Sequence, residues 1–245
     1  MPRYKLTIEY DGTPYSGWQR QDNAPSVQQT VEEAMERFVG APVRLRCAGR
    51  TDAGVHATGQ VAHVHIDKDW RTDTVRDATN VHLRPHPVTV LSAEVVPDMF
   101  DARMSATRRH YRFRILDRRP PPALEAMRVW HVPYRLDHEA MHDAAQAYLG
   151  EHDYTTFRAA ECQANSPVRT IDRFVVMRHG DEICIETEAR SFLHHQVRSM
   201  TGALLPVGRG KWGRRDIARI LKAADRALCP GLAPPCGLYL TRVDY

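Results

Sequence analysis

Tyr4, Leu6, Ile8 and Tyr10 are spaced two apart with Lys5, Thr7 and Glu9 between them, the period of a half-buried β-strand, and Asp11-Gly12 ends the run with turn chemistry. Ser26 to Gln29 then reads S-x-x-Q, a capping box, ahead of the helical stripe Val27, Val31, Ala34, Met35 and Phe38. Gly40 stands where a helix C-cap belongs. Val43, Leu45 and Cys47 alternate again, 61–66 is a further strand, 73–83 is helical and 88–96 is β-rich. The order is β-α-β-β-α-β, the split βαβ pattern of ferredoxin-like units.

The second half repeats this order in topology, although no repeat is visible in its residues. Tyr111, Phe113 and Ile115 share a strand face, and Met141, Ala144, Ala145, Tyr148 and Leu149 form a helical stripe. Segments 169–177 and 182–189 read as a hairpin around His179-Gly180-Asp181. Leu193, Val197, Met200 and Leu204 predict a helix, 216–224 another, and 238–243 a closing strand. Arg118-Arg119-Pro120-Pro121-Pro122 is a stiff loop inside this half. The expected fold class is α+β: two ferredoxin-like βαββαβ halves, 1–104 and 105–245, joined edge to edge in a mostly antiparallel sheet with flanking helices and a cleft between the halves.

Composition narrows the class. A chain of 245 residues suits one large domain or two modest ones, and 42% hydrophobic with 26% charged residues is ordinary for a globular protein. The formal charge of +4 suits a polyanionic partner without demanding one. Five scattered cysteines with no CxxC spacing point to a reducing compartment, without a disulfide framework or a thiolate zinc site. The first twelve residues do not read as a signal peptide, and no apolar run reaches the roughly 20 residues a bilayer requires. The expectation is a soluble cytoplasmic protein.

Three segments can carry chemistry. Gly49-Arg50-Thr51-Asp52-Ala53-Gly54-Val55-His56-Ala57 lies between two expected strands, and its glycines permit tight geometry and close approach of a ligand. Asp52 between them suits a nucleophile or general base, and equally a self-capped turn. In 100–115, Arg108, His110, Arg112 and Arg114 face one way and Arg109, Tyr111, Phe113 and Ile115 the other. Cations can neutralise phosphates and a ring can stack on a base. The competing reading is a solvated edge strand with a core tyrosine. In 191–208, His194, Arg198 and Gly202 recur at helical spacing beside the apolar stripe. Arg198 there calls for an anionic partner, for which Asp52 is the natural candidate, unless it snorkels along the helix.

Taken together, GRTDAGVHA followed by GQVAHV, FDAR…A..R.Y and FL.H.VR…G resemble the motifs of the TruA family of tRNA pseudouridine synthases. HDYTTF, CQANSPVRTI and GLYLTRVDY are similar to further family segments, so the resemblance runs over essentially the whole chain. It implies the pseudouridine synthase fold and conversion of uridine to pseudouridine at positions 38, 39 and 40 of the tRNA anticodon stem-loop. It assigns the nucleophile to Asp52, displacement of the target base to Arg50, packing against the flipped uracil to Tyr111, and pairing with the aspartate to Arg198. It also implies a homodimer that binds tRNA across both subunits and needs no metal or organic cofactor. Gln196 stands where the family commonly has Met, and Phe113 where it commonly has a second Tyr.

Other patterns were weighed against this. His138-Glu139-Ala140-Met141-His142 fits HExxH, the zinc-peptidase motif, but the longer form would need Gly at Ala145 and His at Tyr148, and Asp137 reads as an ordinary N-cap. Gly208, Gly210 and Gly213 fit GxGxxG after a helix instead of a strand, which suits a helix-to-helix turn. His63 and His65 share a strand face, a pair more often structural than metal-binding. A non-catalytic RNA-binding module would use the same basic strands but leave Asp52 without a role.

Overall fold

In the computed structural model, which describes residues 2–245, the first alternating run is strand β1 (Arg3–Tyr10), with Tyr4, Leu6 and Ile8 fully buried. Helix α1 (Val27–Val39) starts at Ser26, whose side chain accepts from the Gln29 amide, and closes on Gly40 in left-handed geometry. Half of the expected capping box forms, since the Gln29 side chain turns along the helix to Glu33. The stripe Val27, Val31, Ala34 and Met35 is buried, as its spacing predicts. Strand β2 is only Arg46–Cys47. Val43 and Leu45 are buried but lie outside it, because the Leu45 backbone bonds to side chains of α1: its amide donates to Glu32 and its carbonyl accepts from Gln28. Strand β3 (His56–His65), helix α2 (Thr72–Leu83) and strand β4 (Val88–Val96) follow.

The antiparallel order is β4-β1-β3, with β2 on the far side of β3. Leu6 stands opposite Ala62 on one neighbour and Ala93 on the other. Helix α2 packs on β4 and α1, burying Val75 and Leu83. Each such apolar side chain removed from water contributes about 1.5–3 kcal/mol.

The second half opens with β5 (Arg108–Leu116), joined in parallel by the two-residue β6 (Trp130–His131). Helix α3 (His138–Ala145) is capped by Asp137, which accepts from the Ala140 amide. Its apolar stripe continues to Tyr148 through a 3-10 turn over 146–148. Strands β7 (Gly150–Asp153), β8 (Val168–His179) and β9 (Glu182–Ala189) complete the antiparallel order β5-β9-β8-β7. Phe113 and Val176 both stand opposite Ile185 across their strand pairs. Helices α4 (Gln196–Gly208) and α5 (Arg214–Ala223) follow, and the glycine triplet 208–213 is the turn between them.

The last strand, β10 (Leu238–Asp244), runs parallel to β3, pairing Tyr239 with His56 and Leu240 with Ala57. Two compact units result: 1–107 with 239–245, and 108–238. In the first unit Asp244 accepts from the Thr107 amide and the Tyr245 hydroxyl donates to the Ala102 carbonyl. The fold is mixed α+β with mostly antiparallel strands. No helix among the described residues is long and apolar enough to cross a membrane.

Candidate active site

The segment 48–55 bridges β2 and β3, and its start is tied to the sheet. The Ala48 amide donates to the Val61 carbonyl at 2.8 Å, and the Gln60 side chain donates to the Gly49 carbonyl at 2.7 Å. Gln60 is completely buried in an otherwise apolar stretch of β3, where an unpaired amide would cost about 1–3 kcal/mol. Its bond to Gly49 meets that demand and fixes the start of the loop.

The middle of the loop is held from the opposite direction. Thr51 is buried, and its hydroxyl shares a 2.7 Å hydrogen bond with the Tyr10 phenol. The Thr51 carbonyl accepts from the Trp18 amide at 3.0 Å, and the Gly54 amide donates to the Tyr15 carbonyl. Val55 N–H closes a turn onto the Asp52 carbonyl at 3.1 Å. That turn places Gly54 at a φ of 74°, the left-handed region where a side chain would be strained. Asp52 is therefore a half-buried carboxylate on a turn between Thr51 and Gly54, both of which are bonded to the preceding part of the chain.

Arg50 is exposed on the same loop. Behind it, burial pushes the Cys47 thiol up to about 12, only partly offset by the Arg50 and Arg103 charges, so this sulfur stays protonated and is no nucleophile. His56 is buried at the loop's far end, stacked on Tyr239 at 4.7 Å, with Nδ1 3.0 Å from the Gly12 amide. Asp11 Oδ1 lies 3.2 Å from the same nitrogen.

Tyr111 and Arg198 belong to the second unit, on β5 and α4. Tyr111 is half-buried and meets Phe192 edge-on, with ring centroids 5.2 Å apart and planes at 88°. The connection 190–195 ties this strand to α4. Arg109, buried on the same face of β5 as Tyr111, donates to the Arg190 carbonyl at 2.6 Å. The Leu193 amide donates to the Gln196 side chain, and the His194 carbonyl accepts from the Ala159 amide.

These bonds also explain a departure from the helical spacing. His195 takes a φ of 64° and α4 begins only at Gln196, so Leu193 and His194 lie before the helix. Arg198 and Gly202 share a helix face; His194 is exposed in the preceding turn. Arg198 is buried and clasps the segment 231–233: its Nε donates to the Ala233 carbonyl at 2.9 Å, while its own carbonyl accepts from the Ala233 amide at 3.1 Å. Gly202 allows that approach, because a Cβ there would collide with the Gly231 carbonyl.

Arg50 and Asp52 thus come together on one loop, and Tyr111 and Arg198 are linked through 190–195. Sequence reasoning passed over Tyr10, Gln60 and Phe192. Gln60 carried a usable signal, a polar residue inside an apolar strand run; Tyr10 and Phe192 carried none beyond ordinary apolar spacing. The HExxH residues serve the fold: His142 Nδ1 accepts from the Val176 amide, His138 Nδ1 faces the Arg178 guanidinium at 3.4 Å, and Glu139 is exposed. His63 Nδ1 likewise accepts from the Ala102 amide at 3.0 Å.

The sequence pattern described as tRNA pseudouridine synthase matches residues 6–104 and 144–245. The chain is 61% identical to a protein of Xanthobacter autotrophicus named tRNA pseudouridine synthase A, over the full length of both. Proteins of the same name from a Methylobacterium species and from Maricaulis maris are 62% and 60% identical, each covering all of this chain and 98% of the relative.

Proposed function

Because the chain belongs to the tRNA pseudouridine synthase family, and so is an enzyme that isomerises uridine in tRNA, we propose that it acts at positions 38, 39 and 40 of the anticodon stem-loop with Asp52 as nucleophile. The observation that carries this reading is the construction of the Asp52 loop. One short carboxylate is held on a tight turn, its flanks pinned by Tyr10, Gln60 and the Trp18 backbone. A self-capped surface turn needs no such support.

The chemistry asks for little besides position. The uracil must leave C1′, turn and rejoin through C5, so the C1′–N1 bond breaks and a C1′–C5 bond forms. The C5 proton departs, N1 gains one, and the sum of atoms is unchanged. The Asp52 carboxylate adds to C1′ or to C6 of the uracil and is released when the new bond is complete. An aspartate is ionised at neutral pH without a separate base. Extruding the base costs a few kcal/mol of lost stacking. Arg50 is assigned to displacing the base, Tyr111 to packing against the extruded uracil, and Arg198 to keeping the carboxylate charged and oriented.

In this reading residues 1–104 carry the nucleophile and 105–245 supply Tyr111 and Arg198 to the same uridine. The order β4-β1-β3 with β2 beyond β3 supports a ferredoxin-like first half. The protein works in the cytoplasm as a homodimer. Incubating defined tRNAs with the protein and mapping pseudouridine tests the reading. Product at 38–40 with wild type, together with its loss and retained tRNA binding in Asp52→Ala, is expected. Wild-type-like product from Asp52→Ala would remove the nucleophile assignment.

A further inference from the structure

Two stretches of the chain are strongly cationic, 108–119 and the turn from α4 into α5 with α5 itself; Arg108, Arg112, Arg114 and Arg118 of the first reach acids, whereas most cations of the second do not. Residues 209–222 contain six cations (Arg209, Lys211, Arg214, Arg215, Arg219 and Lys222) and one acid, Asp216. The remaining sequence holds 28 Lys and Arg against 29 Asp and Glu, so this stretch accounts for the whole positive charge of the protein. All six cations are exposed.

Helix geometry gathers them. Ile217, Ile220 and Leu221 are buried on one side of α5, while Arg215, Arg219 and Lys222 follow at i, i+4 and i+7 on the other. That stripe is about 10 Å long at the ordinary helical rise. Among the described residues, Lys211, Arg215 and Lys222 make no ion pair. Among the described residues, Arg219 reaches only the half-buried Asp216 at 3.5 Å, and Arg214 only the exposed Asp143 at 3.2 Å. Such surface pairs are worth at most about 1 kcal/mol and exchange readily for a stronger anion. Arg209 is held over the Tyr134 ring at 5.0 Å, which fixes its position beside the helix.

A fold gains nothing from like charges crowded into so short a stretch, since they repel one another and, among the described residues, no acid answers Arg209, Lys211, Arg215 or Lys222. We propose that this surface binds the sugar–phosphate backbone of the tRNA, away from the reacting nucleotide. Arg198 and Arg209 stand at opposite ends of α4, about 16 Å apart along the helix axis. The cations therefore meet phosphates outside the target nucleotide and read no base. Their contribution is sequence-independent affinity and register. This rests on tRNA being the substrate.

The test is a triple variant, Lys211→Ala with Arg215→Ala and Lys222→Ala, compared with wild type for binding full-length tRNA across a range of salt. The three side chains hold nothing in the fold, so thermal unfolding is expected to match wild type. Kd for tRNA should rise roughly tenfold at moderate salt, and the slope of log Kd against log salt should fall by about 2 to 3, near one per phosphate contact. Product formation at saturating tRNA stays within about twofold. A charge-conserving variant, Lys211→Arg with Arg215→Lys and Lys222→Arg, should bind like wild type. An unchanged Kd and slope in the alanine variant, with wild type producing pseudouridine, overturns the surface assignment alone. Absence of pseudouridine with wild type overturns the functional reading beneath it.

Discussion

The Tyr10 phenol and the Thr51 hydroxyl lie 2.7 Å apart inside the protein, joining the end of the first strand to the residue before Asp52. Tyr10→Phe deletes one oxygen and leaves a buried hydroxyl without that partner, a loss of about 1–3 kcal/mol. The expected result is a kcat lower by about tenfold with KM for tRNA within twofold, because the loop holding the carboxylate loosens while RNA contacts stay. Steady-state kinetics with a lower thermal midpoint would show it. An unchanged kcat would mean the loop needs no such brace.

Asp52→Glu keeps the charge and moves it outward by one methylene. A displacement near 1 Å at a reacting centre costs about a hundredfold in rate. Turnover should fall by that order while tRNA affinity stays the same, as measured by single-turnover product formation and direct binding.

How much of this was legible beforehand follows from where each constraint arises. The α1 caps and the β8–β9 hairpin are set by neighbouring residues, so motif and period revealed them; the Asp52 loop was visible through its motif alone, since Tyr10, Tyr15 and Trp18 hold it from far along the chain. Residues 43–45 were read as strand because their alternation is real, yet the Leu45 backbone bonds to the side chains of Glu32 and Gln28. The start of α4 was placed early because Leu193 continues the apolar stripe; the left-handed His195 ahead of Gln196 leaves no trace in spacing. The parallel pairing of β10 with β3 joins distant parts of the chain, which no local pattern encodes.

Gly202→Ala should displace the segment 231–233 and with it the carbonyl that Arg198 grips. Crowding of this kind costs about 1–3 kcal/mol. For a protein of this size that lowers the unfolding midpoint by roughly 2–10 °C, measurable by calorimetry, and catalysis should fall with it. A midpoint equal to wild type would show that the segment gives way freely.

Burial lowers the His63 imidazole below its usual value; Asp101 opposes this, and Arg3, Arg46 and His65 add to it. The folded protein therefore takes up this proton less readily than the unfolded chain. Stability present above pH 6.5, the ordinary histidine value, is lost as the pH falls below it. Thermal midpoints measured from pH 7.5 to 5.5 should drop, and His63→Gln should drop less over that interval. Parallel curves for the two proteins would count against the assignment.

Purified protein should contain no stoichiometric zinc and keep its activity in chelator. Nδ1 of His138 faces the Arg178 side chain and Nδ1 of His142 accepts from the Val176 amide, and a guanidinium beside His138 repels a dication. Elemental analysis showing one zinc per chain would restore the peptidase reading.

Strand β10 lies against β3, though every residue of the second unit is joined to the chain between them. During synthesis, the strand that completes the unit carrying Asp52 leaves the ribosome after the other strands of both units. A prematurely terminated message thus yields a first unit whose β3 lacks this neighbour, and no such fragment is expected to modify RNA before translation is finished.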